Sequence, residues 1–283
     1  MAAKWTLGKR IDEDKGGFGI VYEVTHSDGR KGALKELKYP NPERLKRFER
    51  EINLLQTLNH DHIIDIYESN LNGSPPTING PYYIMEYMAG GSLRGVMGNM
   101  FNVRRGLFKR KWALDTVIFP VLKALELAHS KPNYHRDIKP ANLLFTTTNH
   151  NHLKVADWGL GKDVNRTSTA LTVAGMGTAG YCSPEQWLHP STLGEVNQRT
   201  DIYSLGIIFY EMMTGKIPQV FNSNSATGQR FQIPPNPSSQ NHSSISPQLD
   251  KAILQMMAYD PKDRYQTIQE VINALTPIYN SIP

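Results

Sequence analysis

The stretch H-R-D-I-K-P-A-N, residues 135–142, places Asp137, Lys139 and Asn142 within six residues, directly before the strand-like run 143–145. Asp137 can accept a proton from a hydroxyl, and Lys139 can neutralise a phosphoryl group during its transfer. The amide oxygen of Asn142 can bind a divalent cation. A solvated polar turn would not require this order of residue types, so the stretch predicts a site for phosphoryl transfer.

A second triplet, Asp157-Trp158-Gly159, follows another short strand-like run, 153–156, and begins fifteen residues beyond Asn142. Taken alone, an acidic residue followed by an aromatic residue and a glycine is a common turn. At this spacing the Asp157 carboxylate can complete a magnesium site with Asn142, because Mg²⁺ prefers oxygen ligands and shares its coordination shell with phosphate.

Upstream, Lys35 lies within an apolar strand-like run, 31–38, and Glu51 lies on the apolar side of the predicted helix that follows. Phe48 comes three residues before Glu51 and Leu55 four residues after it, so the three share one helix face. A carboxylate on that face is costly unless it is paired, and Lys35 is a natural partner that could also meet ligand phosphates. The alternative is that both charges reach solvent at the edge of the structure.

The glycines of Gly16-Gly17-Phe18-Gly19 stand between two apolar stretches and permit two interpretations. They can supply positive φ in an ordinary hairpin turn. They can also form a loop whose backbone approaches a phosphate closely, which only small residues permit. The cluster by itself does not decide between the two.

Periodicity divides the chain into a strand-rich first part and a helix-rich second part, with a change near residues 88–92. Strands are predicted at 19–24, 31–38, 63–68, 82–87, 143–145 and 153–156, the first two joined by a turn at 27–29. Helices are predicted at 42–58, 114–129, 201–214, 246–257 and 267–275.

The composition is that of a globular chain, with 283 residues of which 39% are hydrophobic, 20% charged and 9% aromatic. It excludes collagen, a disulfide-rich mini-protein and a disordered tail. The net charge of +5 does not indicate nucleic acid, and we expect no nucleic-acid partner. Because Cys182 is the single cysteine and no apolar run reaches the ~18–20 residues of a membrane span, we expect a cytoplasmic chain without a membrane segment.

In their chain order these segments resemble the protein kinase signature set: glycine-rich loop, strand lysine, helix glutamate, H-R-D-x-K-x-x-N, an Asp-aromatic-Gly triplet and Ser183-Pro184-Glu185. The segment 177–186 is similar to the eukaryotic-like, Hanks-type Ser/Thr kinases of bacteria. The resemblance runs from Trp5 to Ile278 and implies an α+β, two-lobed kinase fold. Its antiparallel strand lobe with one main helix would span 1–88, and its mostly helical lobe 89–283.

The resemblance implies a role for each matching position. Asp137 would deprotonate a Ser or Thr hydroxyl of a protein substrate, and Lys139 would contact the γ-phosphate of ATP. Asn142 and Asp157 would hold Mg²⁺, or Mn²⁺ in its place, and Lys35, paired with Glu51, would hold the α- and β-phosphates. The residues implied around the rest of the nucleotide are Ile11, Gly16, Gly17, Gly19, Val21, Ala33, Glu86, Met88 and Leu144, with Met85 guarding the back of the pocket.

The resemblance also implies autophosphorylation of the segment 163–176. A phosphate there would be received by a basic pocket formed by Arg50, Arg136 and Lys162. The candidate hydroxyls are those of Thr167, Ser168, Thr169 and Thr172, of which Thr172 is favoured. Two supporting contacts are implied as well: Asp201 would brace the loop around Asp137, and Arg264 would pair with Glu185.

Three departures from the family pattern leave alternatives open. The glycine-rich loop lacks its first glycine and carries acidic residues at 12–14, which are unfavourable beside phosphates. Trp158 replaces the usual phenylalanine, and no short docking helix is evident after Pro218. The first departure motivates a nucleotide-binding pseudokinase or scaffold as the alternative function. A small-molecule phosphotransferase of the antibiotic-kinase type is disfavoured, because such enzymes lack a segment like 177–185.

Overall fold

The computed structural model describes residues 5–11, 19–72, 80–102, 108–159, 180–186, 193–218, 221–222, 230–231, 236–237 and 245–282. The chain divides into two compact units, the first formed by Met1–Gly91 with Leu144–Leu160 and the second by Ser92–Leu143 with Gly161–Pro283. The first unit therefore takes in a later segment of the chain, Leu144–Leu160, in addition to the residues before the boundary predicted at residue 88.

An antiparallel five-stranded sheet, in the order β1-β2-β3-β5-β4, forms the centre of the first unit. Its strands are β1 (Trp5–Arg10), β2 (Gly19–His26), β3 (Lys31–Leu37), β4 (Ile66–Asn70) and β5 (Tyr82–Glu86). The strands predicted at 19–24, 31–38 and 82–87 are confirmed. Strand β4 begins later than predicted, because Ile63 instead makes an isolated parallel bridge to Val155. Strand β1 was not predicted, since most of its residues are exposed on the sheet edge and give little apolar alternation.

Helix α1 (Pro42–Thr57) follows β3 and contacts both β3 and β4. The Asn41 side chain caps it by accepting a hydrogen bond from the Arg44 N–H (2.9 Å), which satisfies one of the free amides of the first turn. The buried side chains Phe48, Glu51, Ile52, Leu54 and Leu55 mark the face turned to the sheet. The predicted helical period is therefore confirmed, and it places Glu51 in the interior.

Strands β6 (Gly91–Ser92), β7 (Leu143–Phe145) and β8 (Leu153–Val155) form a second sheet in the order β6-β7-β8. Close packing requires a glycine beside it, because a Cβ atom at Gly90 would lie 2.2 Å from the carbonyl oxygen of Thr147. The predicted strand at 143–145 is confirmed, and the one predicted at 153–156 ends one residue earlier.

The second unit is mainly helical, as predicted. Its helices are α2 (Leu93–Asn102), α3 (Arg110–Trp112), α4 (Phe119–Ser130), α5 (Gln198–Thr214), α6 (Pro247–Met256) and α7 (Ile268–Asn280). A π-helical turn, Ala113–Ile118, joins α3 to α4 and was not predicted, and neither was α2. Two-residue strands β9 (Phe221–Asn222) and β10 (Arg230–Phe231) pair with each other.

The predicted α+β class is confirmed by the strand-rich first unit and the helix-rich second unit. Helix α5 is buried around most of its circumference, which explains why its apolar pattern continues through Ile202–Met213. Among the described helices, none combines the length and apolar character that a membrane crossing requires.

Candidate active site

In the first unit, Lys35 of β3 joins two carboxylates. Its ammonium group lies 2.7 Å from Glu51 Oε1 and 2.7 Å from Asp157 Oδ1. The predicted Lys35–Glu51 pair is therefore confirmed, and the alternative, in which both charges reach solvent, is wrong because Glu51 is only 1% exposed. The contact with Asp157 links residues 122 positions apart in the chain.

The electrostatics of this cluster favour the charged form of the lysine. Burial of the Lys35 ammonium opposes its charge, but the Asp157 and Glu51 carboxylates outweigh that cost and raise the pKa of Lys35 well above its ordinary value. Burial raises the pKa of Glu51, against the opposing effect of Lys35. Lys35 is therefore a fixed positive charge, suited to bind phosphate oxygens.

Asp157 stands in a left-handed backbone conformation with φ of 60°, which an aspartate tolerates better than most residues. The Trp158 side chain beside it is buried, and its indole N–H donates to the Val155 carbonyl (3.1 Å). A phenylalanine, the usual residue at this position, cannot make that hydrogen bond. The bond ties the Trp158 side chain to the last residue of β8, next to Asp157.

The residues predicted around the adenine all belong to the first unit. Ile11 donates its N–H to the Val21 carbonyl (2.9 Å), Ala33 is buried within β3, and Leu144, Glu86 and Met88 are half-buried. A Cβ atom at Gly19 would lie 2.7 Å from the Glu36 carbonyl oxygen, so strand packing alone requires a glycine there. Gly16 and Gly17 lie outside the described residues, and their two interpretations remain predictions.

In the second unit, two side chains of the H-R-D-I-K-P-A-N stretch contact the Asp137 carboxylate. Its Oδ2 atom accepts hydrogen bonds from Lys139 Nζ (2.8 Å) and from Asn142 Nδ2 (3.2 Å). Asn142 Nδ2 also donates to the Asp137 carbonyl (2.8 Å), which leaves the Asn142 amide oxygen as the group suited to a cation. The Asp137 side chain is 32% exposed, so it is accessible from solvent.

Asp201, at the start of α5, braces the backbone that carries Asp137, as the family resemblance implied. It is fully buried and accepts from the N–H groups of His135 (2.9 Å) and Arg136 (2.7 Å). His129 Nε2 lies 2.8 Å from the same carboxylate. Burial opposes the negative charge, but the hydrogen bond with His129 prevails and lowers the pKa of Asp201.

The brace holds Arg136 in an unfavourable backbone conformation, with φ of 62°. A non-glycine residue adopts this region at a cost of about 1–3 kcal/mol, so surrounding contacts must hold it there. The Arg136 N–H is bound by Asp201, and its carbonyl accepts from Gln186 Nε2 (2.7 Å). The strained residue is thus fixed on both sides, directly before Asp137.

Glu185 and Arg264 form the other predicted contact of the second unit, and it is confirmed. The guanidinium binds the carboxylate through two hydrogen bonds of 2.8 Å each. Both side chains are buried, and Thr200 Oγ1 donates to Glu185 Oε1 (2.8 Å). This ion pair ties the segment around Ser183–Gln186 to the helical core.

The regulatory prediction is only partly described by the structure. Arg50 is exposed on α1, in the first unit, and Arg136 is half-buried in the second. The remaining members of the predicted pocket and phosphorylation segment lie outside the described residues: Lys162, Thr167, Ser168, Thr169 and Thr172. Their roles stay predictions.

Three residues of the site were not found from the sequence. Tyr83 donates its hydroxyl to Glu51 Oε1 (2.8 Å), His129 contacts Asp201, and Gln186 contacts Arg136. Gln186 had a local signal, since it directly follows Glu185 in the quoted segment 177–186. Tyr83 and His129 had none, because each reaches its partner across more than thirty residues of chain.

We expect Asp201→Asn to lower kcat of the predicted phosphoryl transfer by about 10- to 100-fold. The asparagine has one acceptor oxygen where the aspartate has two, so the N–H of either His135 or Arg136 loses its acceptor, and a buried unsatisfied donor costs about 1–3 kcal/mol. The loop before Asp137 then loses its fixed position. Hydrogen exchange of the His135 and Arg136 amides, measured with kcat, checks this expectation. Unchanged exchange together with unchanged kcat would show that Asp201 does not brace the loop.

Comparison with known proteins shows which family the chain belongs to. The family model described as protein kinase domain matches residues 14–275. Serine/threonine-protein kinase PknB of Mycobacterium leprae is 34% identical over 278 residues, which cover 94% of this chain and 42% of that protein. PknB of Mycobacterium tuberculosis strain H37Rv is 34% identical over an alignment of 293 residues, covering 100% of this chain and 44% of that protein.

A third relative, a probable serine/threonine-protein kinase of Clostridium perfringens, is 35% identical over 274 residues, which cover 93% of this chain and 37% of that protein. The chain therefore spans less than half the length of these bacterial relatives.

Proposed function

This chain belongs to the Hanks-type serine/threonine protein kinases, and we propose that it transfers the γ-phosphoryl group of ATP to serine and threonine hydroxyls of proteins. The observation that carries the proposal is the Asp137 carboxylate, which is hydrogen-bonded to Lys139 and Asn142 on a loop braced by Asp201. This arrangement supplies a base, a cation and an amide oxygen within one short segment.

Asp137 would orient the attacking hydroxyl and accept its proton. Lys139, whose ammonium already lies 2.8 Å from Asp137, would neutralise charge on the γ-phosphoryl group as it is transferred. No covalent enzyme intermediate is required, since alignment and charge neutralisation account for catalysis of this kind.

The nucleotide would be held by the first unit. Lys35 would bind the α- and β-phosphates while Glu51 and Asp157 keep it charged and in place. The adenine would lie among Ile11, Val21, Ala33 and Leu144 and hydrogen-bond to the backbone of Glu86 and Met88.

Each of the two proposed ligands is of a type that a divalent cation such as Mg²⁺ accepts: Asn142 of the second unit offers an amide oxygen, and Asp157 of the first unit offers a carboxylate. The Asp157 side chain is 45% exposed, and one of its oxygens holds Lys35. When bound, Mg²⁺ or Mn²⁺ would neutralise the phosphate oxygens of ATP. Asn142 and Asp157 would hold it through their oxygens.

The partners proposed for the chain are protein substrates and the chain itself. Autophosphorylation at Thr172 would order the segment 163–176 by neutralising Arg50, Arg136 and Lys162. A cytoplasmic location is part of the proposal and is supported by the single cysteine, Cys182, since one cysteine cannot form a disulfide within the chain.

The test is incubation of the chain with γ-labelled ATP, Mg²⁺ and a generic basic protein, followed by mapping of the labelled residues. We expect label on serine and threonine of the substrate and within 163–176. Lys35→Met should lower the rate by about 100-fold, because a positive charge facing the phosphates is lost. Lys31→Met is the matched control on the same strand: Lys31 is 57% exposed and pairs with Glu23, so its loss should leave the rate unchanged.

Equal label in the wild type and Lys35→Met would contradict the proposal. Nucleotide binding without transfer by the wild type would favour the pseudokinase alternative. Transfer to an aminoglycoside with none to protein would favour a small-molecule phosphotransferase.

A further inference from the structure

We propose that Tyr83 is a positioning residue that holds the Glu51 carboxylate in place for Lys35, an inference that rests on the proposed phosphate-binding role of Lys35. Tyr83 lies on β5, on the strand next to β3 in the sheet. Its hydroxyl donates to Glu51 Oε1 over 2.8 Å. The contact therefore joins the sheet directly to the carboxylate that orients the lysine.

The two donors to Glu51 meet at one oxygen. Glu51 Oε1 accepts from Tyr83 and from Lys35 Nζ (2.7 Å), whereas Glu51 Oε2 is buried and finds no hydrogen-bond partner in the part of the chain that the structure describes. Both observed hydrogen bonds to this buried carboxylate are therefore accepted by Oε1. Removing either donor leaves a buried carboxylate with a single hydrogen bond, which is a costly state.

Lys35 is a shared partner, because its ammonium also lies 2.7 Å from Asp157 Oδ1. Any ligand phosphate that drew the Lys35 ammonium toward itself would weaken its bond to Glu51. A ligand phosphate would not compete for Tyr83 in this way, because the Tyr83 hydroxyl donates its hydrogen to Glu51 Oε1. It keeps one donor on Oε1 whichever partner the lysine favours.

The Tyr83 ring is itself fixed, so its hydroxyl is a defined donor. The side chain is 1% exposed, and its ring packs against Phe48 of α1 with the ring centres 5.3 Å apart. Burial raises the pKa of Tyr83 well above its ordinary value, so the phenol keeps its proton. The Lys35 ammonium lies 5.6 Å from the centre of the same ring.

The chain offers a matched control one residue away. Tyr82 lies on the same strand, is also buried, and belongs to the cluster formed with Val24, Leu34 and Ile84. Its hydroxyl lies 3.4 Å from Glu68 Oε1. Tyr82→Phe removes the same atom from the same strand without touching Glu51.

The experiment compares the wild type, Tyr83→Phe and Tyr82→Phe. Because the phenylalanine keeps the ring that packs on Phe48, we expect both variants to fold. Tyr83→Phe should speed hydrogen exchange of the amides at 48–55 in the protein without nucleotide. It should also lower kcat/KM for ATP by about 10-fold, as expected for the loss of a hydrogen bond to a charged group. Tyr82→Phe should stay within about twofold of the wild type in kcat/KM and keep wild-type exchange at 48–55.

A double-mutant cycle separates positioning from general packing. In a Glu51→Met background, which has no oxygen to accept the Tyr83 hydroxyl, Tyr83→Phe should have less than half of its effect on exchange and on kcat/KM, since the group that Tyr83 positions is gone. An equal effect in both backgrounds would assign Tyr83 to packing alone and overturn the inference.

The exchange measurement decides the inference even without turnover. Equal exchange at 48–55 in wild type, Tyr83→Phe and Tyr82→Phe would overturn it, whatever the activity. A wild type that transfers no phosphate would overturn the proposed function instead.

Discussion

Asp137→Asn is expected to lower kcat for phosphoryl transfer by about 1,000-fold, within the range that a positioned general base contributes. The amide keeps the size of the carboxylate but cannot accept the proton of a substrate hydroxyl. It also removes the negative charge that Lys139 contacts at 2.8 Å. Single-turnover rates measured with labelled ATP give the change in the transfer step.

Nucleotide affinity should change little in this variant, because Lys35 and the residues proposed around the adenine belong to the other unit. Asp61→Asn is the control, since Asp61 is exposed in a turn and has no proposed role. A fall of less than about tenfold in Asp137→Asn would contradict the role of a catalytic base.

Arg264→Met is expected to destabilise the fold by about 3–5 kcal/mol, because it leaves the Glu185 carboxylate buried without its partner. The Arg264 and Glu185 side chains are 0% and 1% exposed. By contrast, the exposed pair of Arg30 and Asp28 should contribute little to stability, because solvent screens it, so Arg30→Met is the control. Chemical denaturation of both variants measures the difference in the free energy of unfolding.

Replacing both partners should restore most of the lost stability, because a buried ion pair exchanged for apolar side chains is often nearly neutral. Arg264→Met combined with Glu185→Leu tests this point. If the double variant were as unstable as Arg264→Met, the loss would come from packing or from the hydrogen bonds of Arg264 to backbone carbonyls, and not from an unpaired charge.

The ion pair of Arg264 and Glu185 also predicts how the free energy of unfolding depends on pH. Burial acts to raise the pKa of Glu185, but the hydrogen bonds and charge of Arg264 hold it below its ordinary value. A depressed pKa in the folded state stabilises the fold above the ordinary glutamate pKa of about 4.3, and this contribution is lost as the pH falls through the folded-state pKa. In Arg264→Met the lowering effect of Arg264 is lost, so burial raises the pKa of Glu185 and protonation of Glu185 stabilises the folded variant. The difference between the free energies of unfolding of wild type and Arg264→Met should therefore narrow as the pH falls.

Much of the proposed site was predictable because its signals are local. The order of Asp137, Lys139 and Asn142 needed no knowledge of the fold, and the helical period of 42–58 placed Glu51 on a buried face. The pairing with Lys35 was one of two interpretations of the residues themselves, and the family resemblance favoured it. Asp201 and Arg264 were predictable only through the family resemblance, because their partners lie 65 and 79 residues away.

By itself, the sequence determined the chemistry that we propose for this protein, since its residue types and their order supply a candidate base, a candidate phosphate-binding lysine and candidate oxygen ligands. Only the tertiary structure decided which side chains hold these groups in position, and Tyr83 shows the physical reason. Residues 82–85 are all buried, so the alternation of a half-exposed strand is missing and nothing in the sequence shows which tyrosine faces Glu51. That choice follows from the packing of β5 against α1 and β3, which brings together residues distant in the chain.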